Sequence, residues 1–147
     1  MGVCTRSPLR PGGERSWWLR PRYGMASRTL APRLRRLPLA TTLGLEVPVA
    51  VGCRARLLGL SRLERAEVGV GLLIPRCASV HTFGMRFALD LVFLDGDGQP
   101  FAVRHEVPPR RIASERGAVA VLELPAPSGD LPGGSRAEGG EIGCPVP

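Results

Sequence analysis

The sequence predicts a mostly β domain with a minor helical part (α+β minor), folded as a compact β-sandwich or small barrel with one short helix. Three observations carry that prediction. Apolar runs of strand length recur through the middle of the chain, bounded by turn residues. Gly and Pro are abundant, at 19 and 15 of 147 residues, and they interrupt any long helix. Only one stretch has helical spacing, and it contains Gly59 and Ser61.

In chain order, Glu46 to Gly52 reads as the first strand, with Pro48 marking an edge position. Arg54 to Val68 places Leu57, Leu60 and Leu63 at helical intervals and predicts one short helix or two broken turns. Gly69 to Pro75 is an apolar run closed by Gly and Pro, hence a buried strand, and Ser79 to Phe87 is extended or a broad loop. Leu89 to Asp95 is the clearest strand. Asp95-Gly96-Asp97-Gly98 predicts a type I′ hairpin turn, after which Pro100 to Val107 returns antiparallel. Pro108 to Arg116 reads as loop, and Ala118 to Leu124 as the last strand, closed by Pro125. The strands are apolar on both faces, as in a sandwich or closed barrel.

The two ends differ from this body. Residues 1–42 are expected to be a basic, poorly ordered tail, 43–126 the β-rich domain, and 127–147 a Gly/Pro-rich tail. Residues 1–40 carry nine Arg against Glu14, whereas residues 41–147 carry eleven Arg against twelve acids. The formal charge of +7 therefore sits in the front end, which also holds the pair Trp17-Trp18 and an alternative start at Met25. All twenty cations are Arg, a coding bias more than a selected phosphate surface, so no nucleic-acid partner is expected. Cys4, Cys53, Cys77 and Cys144 lie far apart without a zinc-like pairing, and free thiols in the cytoplasm are the expectation. No apolar run is long enough for a transmembrane helix. Arg33 to Arg36 ahead of an apolar stretch ending at Cys53 leaves export, with a lipid anchor on Cys53, as the alternative.

Five segments carry a resemblance: Arg56 to Leu60 (RLLGL), Gly71 to Cys77 (GLLIPRC), Val80 to Asp90 (VHTFGMRFALD), Val92 to Asp95 (VFLD) and Leu122 to Ala126 (LELPA). In order and spacing, the stretch from Glu46 to Ala126 resembles domain-of-unknown-function family 192, also called uncharacterised protein family 0127, small bacterial and archaeal proteins. The resemblance implies a β-rich sandwich and no assigned activity. Two departures stand out: Arg110 occupies a position usually aromatic in relatives, and Pro127 begins unrelated sequence where relatives continue into a further strand.

The chemistry-bearing residues lie inside apolar sequence, where each needs a partner. Asp90 lies between Leu89 and Leu91, and Arg86, four residues earlier, is its nearest cation. The pair reads either as a clamp fixing the bend or as a binding group, with Arg86 anchoring an anion and Asp90 orienting it. Glu123, in VLEL, poses the same question, and two carboxylates from separate strands have the residue types of an acid/base pair. His81 and Thr82 complete the candidate ligand-binding set His81, Thr82, Arg86, Asp90 and Glu123. A hydrolase using Cys77, His81 and Asp90 is the enzyme alternative, and a purely structural accessory domain is the third. A metal held by Cys77, His81, Asp90 and His105 lacks a shared strand or helix face, and no cofactor is implied. The expected function is binding of a small molecule or a protein partner through the Cys77–Asp90 segment.

Overall fold

The computed structural model describes residues 30–127. A short helix α1 (Pro32–Arg35) is followed by a hairpin of β1 (Leu39–Thr42) and β2 (Leu45–Pro48). Next come helix α2 (Cys53–Leu58) and a single 3₁₀ turn at Arg65–Glu67. The rest is strand: β3 (Leu72–Pro75), β4 (Ser79–His81), β5 (Leu89–Leu94), β6 (Pro100–Val107), β7 (Ile112–Ser114) and β8 (Ala120–Pro125). The fold is mostly β, as the sequence predicts, with antiparallel sheets and two short helices.

The central sheet has the order β3-β8-β5-β6. Its two inner strands are buried on both faces, β5 at every position and β8 from Val121 onwards. That is why they read as continuous apolar runs without alternation. On one face Leu45 and Val47 of the β1–β2 hairpin pack on Val92, Leu94, Leu122 and Leu124. On the other, Leu34 of α1, Val80, Ala113 and Met85 cover Leu89, Leu91, Phe93 and Val121. The sheet is thus the middle layer, and burying both of its faces provides most of the hydrophobic stabilisation.

Several sequence expectations are corrected by this arrangement. The expected boundary between residues 42 and 43 falls inside the β1–β2 turn, so α1 and β1 belong to the folded body, and Leu34 is buried. Leu43 and Gly44 form that turn with both φ angles positive (51° and 76°), the geometry of a type I′ turn. The expected type I′ turn at Asp95–Gly98 is instead a three-residue loop. Asp95 N–H donates to the Gln99 carbonyl at 2.9 Å, and of its glycines Gly98 alone has positive φ. This is a type I turn with a glycine bulge, and Asp95 Oδ1 further accepts from the Asp97 and Gln99 N–H groups. The first predicted strand ends at Pro48, after which Val49 forms an isolated parallel bridge to Leu73. The predicted helical region does break in two, into α2 and the 3₁₀ turn. The predicted loop 108–116 contains β7, which pairs with β4 from Ser79↔Ser114 to His81↔Ile112. The Trp17-Trp18 pair, Cys4, Cys144 and nearly all of the expected C-terminal tail lie outside the described residues.

Candidate functional site

The five predicted site residues fall into three places. Thr82 is structural. It is buried just after β4, and its hydroxyl donates to the Pro108 carbonyl at 2.7 Å while accepting from the Arg111 N–H at 2.9 Å. Its backbone also bonds Arg110 and Arg111, so the residue pins the segment between β6 and β7.

Asp90 and Arg86 do not meet, and the expected pairing is corrected. Arg86 is exposed and forms an ion pair with Glu64 at the surface. Asp90, 1% exposed, faces an irregularity in the β5–β6 ladder, where Leu89 pairs with Val107 and Leu91 with Arg104. His105 and Glu106 therefore oppose Asp90 as a bulge, and Glu106 takes positive φ (51°). The Asp90 carboxylate accepts from the Glu106 N–H at 2.8 Å and lies 3.1 Å from His105 Nδ1. It holds the bulge in place.

Glu123 and His81 come together at a cavity of about 320 Å³, open on one side, which lies between α2, β3 and β4. Arg56, Cys77, Ser79 and Met85 also line it. Glu123 projects from β8 toward the face covered by α2. Its register partners are Leu72 and Leu91, so no charge approaches from either neighbouring strand. It is 3% exposed, and burial pushes its carboxyl up to about 8, opposed by the Leu60 N–H that donates to it. The shift favours the protonated carboxyl at neutral pH. Its Oε2, the Nδ1 of His81 and the Nε of Arg56 are buried without a hydrogen-bond partner among the described residues. The Glu123–α2 contact is close: a Cβ at Gly59 would sit 3.2 Å from Oε2, and φ there is +46°, so glycine alone lets the chain pass this carboxyl unstrained.

The other cavity residues divide by role. The Cys77 thiol donates to the Ser79 carbonyl at 3.0 Å, and the Arg56 guanidinium bonds the Arg76 carbonyl at 2.6 Å. Phe83 is half-exposed and packs on the His81 ring with centroids 5.6 Å apart. The Cys77, His81 and Asp90 set proposed for a hydrolase is not assembled, since Asp90 is taken up by the β6 bulge and does not line the cavity. Likewise, no group of three or more His, Cys, Asp or Glu among the described residues is placed to hold a metal. The sequence reading missed Arg56, whose only signal was its place one turn before Gly59 on a helix that must cover something. A second hollow of about 270 Å³ lies across α2, but the Arg33 side chain there is engaged by the Gly59 and Ser61 carbonyls.

Cys53 opens α2 and is exposed; it and Cys77 are free thiols. No helix among the described residues is long and apolar enough to cross a membrane.

Comparison with known proteins adds a family and little more. No curated protein matches the chain. A solved structure of a putative transcription regulator from Sinorhizobium meliloti 1021 is similar, at 24% identity and a TM-score of 0.49, over 60% of this chain and 77% of that one. A protein of unknown function from Novosphingobium aromaticivorans DSM 12444 is similar at 17% identity and a TM-score of 0.46, over 65% of this chain and 86% of that one. Neither likeness carries an argument about activity. The DUF192 family model, described as Uncharacterized ACR, matches residues 38–130, which takes in β1 through β8 and the whole cavity, and the chain belongs to that family.

Proposed function

We propose that this domain binds a small polar ligand in the cavity floored by Glu123, with His81 and Arg56 as further contacts. One observation carries the reading: a carboxyl that is 3% exposed keeps an oxygen without a partner among the described residues, on a cavity open to solvent. That oxygen is left for a group entering the cavity to meet, and the volume falls at the small end of ligand pockets. Glu123 and His81 are the binding members of the predicted set; Thr82, Arg86 and Asp90 support the scaffold around them.

The hydrolase reading ranks second. It keeps Cys77 and His81 on one cavity, but a nucleophile needs an oriented base, and Asp90 does not supply the orientation. We place the domain in a reducing compartment, cytoplasmic in preference to lipid-anchored. Processing ahead of Cys53 would remove β1–β2 and with it Leu45 and Val47, which cover one face of the sheet.

The test is a thermal-shift screen of the full chain against metals, nucleotides, sugars and organic acids, repeated with Glu123→Leu. A ligand at a hundredfold its Kd stabilises the wild type by about 2–3 kcal/mol. That shift is expected for one ligand class and is expected to vanish in Glu123→Leu. A shift that survives the substitution places the site elsewhere, and no shift from any class makes the carboxyl structural.

A further inference from the structure

The cavity's polar groups differ in what they offer a ligand. Glu123 accepts the Leu60 N–H on one oxygen and, while it keeps its proton, presents a donor at the other. Arg56 is a donor only, and its Nε is among the buried atoms without a partner among the described residues. His81 Nδ1 takes either role according to its tautomer. The titratable or charged groups around Glu123 are Cys53 and Arg56 from α2, Cys77, and His81 from β4, while β3 and β5 present Leu72, Ile74 and Leu91. Among the described residues, Glu123 is thus the one acid lining the cavity. Apart from Ser79, the remaining wall is apolar, with Leu60, Ile74 and Met85.

A cationic ligand would face the Arg56 guanidinium and would have to strip the proton from Glu123. A ligand with a negative acceptor receives a hydrogen bond from each group, and such charge-assisted bonds are about twice as strong as neutral ones. We propose that the cavity takes a small aliphatic organic acid, its carboxylate held between the Glu123 carboxyl and the Arg56 guanidinium and its chain against Leu60, Ile74 and Met85. This rests on the ligand-binding reading above and names the ligand class.

The proposal makes Glu123 a donor, and that fixes a pH signature. Above about pH 8 the carboxyl ionises, loses its donor and repels the bound carboxylate. Affinity then falls, approaching about tenfold for each further pH unit. Glu123→Gln keeps a donor in nearly the same place and carries no titration.

The experiment uses the full chain and three probes of matched size: hexanoate, hexylamine and hexanol, titrated while the cavity resonances are followed by NMR. Hexanoate is expected to bind most tightly at pH 7 and to weaken about fivefold between pH 8 and pH 9. Glu123→Gln is expected to bind hexanoate without that step, Cys77→Ser to retain the step, and Arg56→Ala to weaken binding about tenfold or more at pH 7. Hexylamine binding best, with affinity rising with pH, overturns the organic-acid assignment and leaves the ligand pocket standing. Hexanol matching hexanoate also overturns it. Failure of all three probes to shift the cavity resonances overturns the organic-acid assignment, and the wider thermal-shift screen then decides the ligand-binding reading by itself.

Discussion

Two buried acids lie on neighbouring central strands and have opposite fates. Asp90 on β5 is 1% exposed, and Glu123 on β8 is 3% exposed. They point to opposite faces of one sheet. Asp90 meets a bulge whose N–H and imidazole take up its oxygens, whereas Glu123 meets a single backbone N–H and a cavity. Burial alone therefore does not fix what a carboxyl meets. What separates the two is the far side of the carboxyl: one group completes a strand pairing, and the other keeps an oxygen without a partner among the described residues.

The largest expected effect tests Glu123. Its carboxyl binds a proton more tightly in the folded state, about 8, than at its ordinary value of 4.5. Between those two values the native chain holds the extra proton, so this group lowers stability as pH rises through that window and adds nothing further above it. At about 1.4 kcal/mol per unit, the loss by pH 8 is about 3–5 kcal/mol. Glu123→Gln does not titrate, so it is expected to gain about that much on wild type between pH 5 and pH 8. Denaturant unfolding of both proteins at the two pH values measures the difference. Parallel pH profiles would mean that Glu123 is ionised in place, with a partner for its second oxygen.

Next in size is the other acid. Asp90→Ala leaves the Glu106 N–H without its acceptor at a bulge whose own residues are exposed, and is expected to cost about 2 kcal/mol. Asp90→Asn keeps an amide oxygen for that N–H and is expected to cost about half as much. Neither is expected to alter hexanoate binding. A loss of binding in Asp90→Asn, with the fold intact by NMR, would transfer the site from β8 to β5 and collapse the contrast between the two carboxylates.

How much of this was legible follows from what each residue depends on. Strands β5 and β8 were visible because buried apolar runs are a local property, and β6 because the Asp95–Gly98 turn returns the chain beside β5. The β1–β2 hairpin was hidden, because its turn is Leu43-Gly44 and not an Asn-Gly pair, and an Arg run precedes it. β7 is three residues in an Arg-rich stretch and forms only by pairing with β4. Glu123 and His81 stood out as polar groups in apolar surroundings. The partner of Asp90 did not, because a bulge is a matter of register between β5 and β6, and sequence proximity pointed to Arg86 instead.

The smallest expected effect concerns that rejected partner. Arg86 and Glu64 form their ion pair with side chains 59% and 58% exposed, where solvent screening leaves about 0–1 kcal/mol. Glu64 loses little without it, since it also caps the 3₁₀ turn in a reciprocal pair with Glu67. Arg86→Ala is therefore expected to change stability by less than about 0.5 kcal/mol and to leave ligand binding untouched, in contrast to Arg56→Ala. Both substitutions remove one positive charge from the same domain, so a general electrostatic effect on an anionic ligand would weaken binding in the two variants alike. Only a carboxylate seated in the cavity separates them. Calorimetric titration of hexanoate into the two variants, at low and at physiological salt, decides whether the arginine acts by contact or by field.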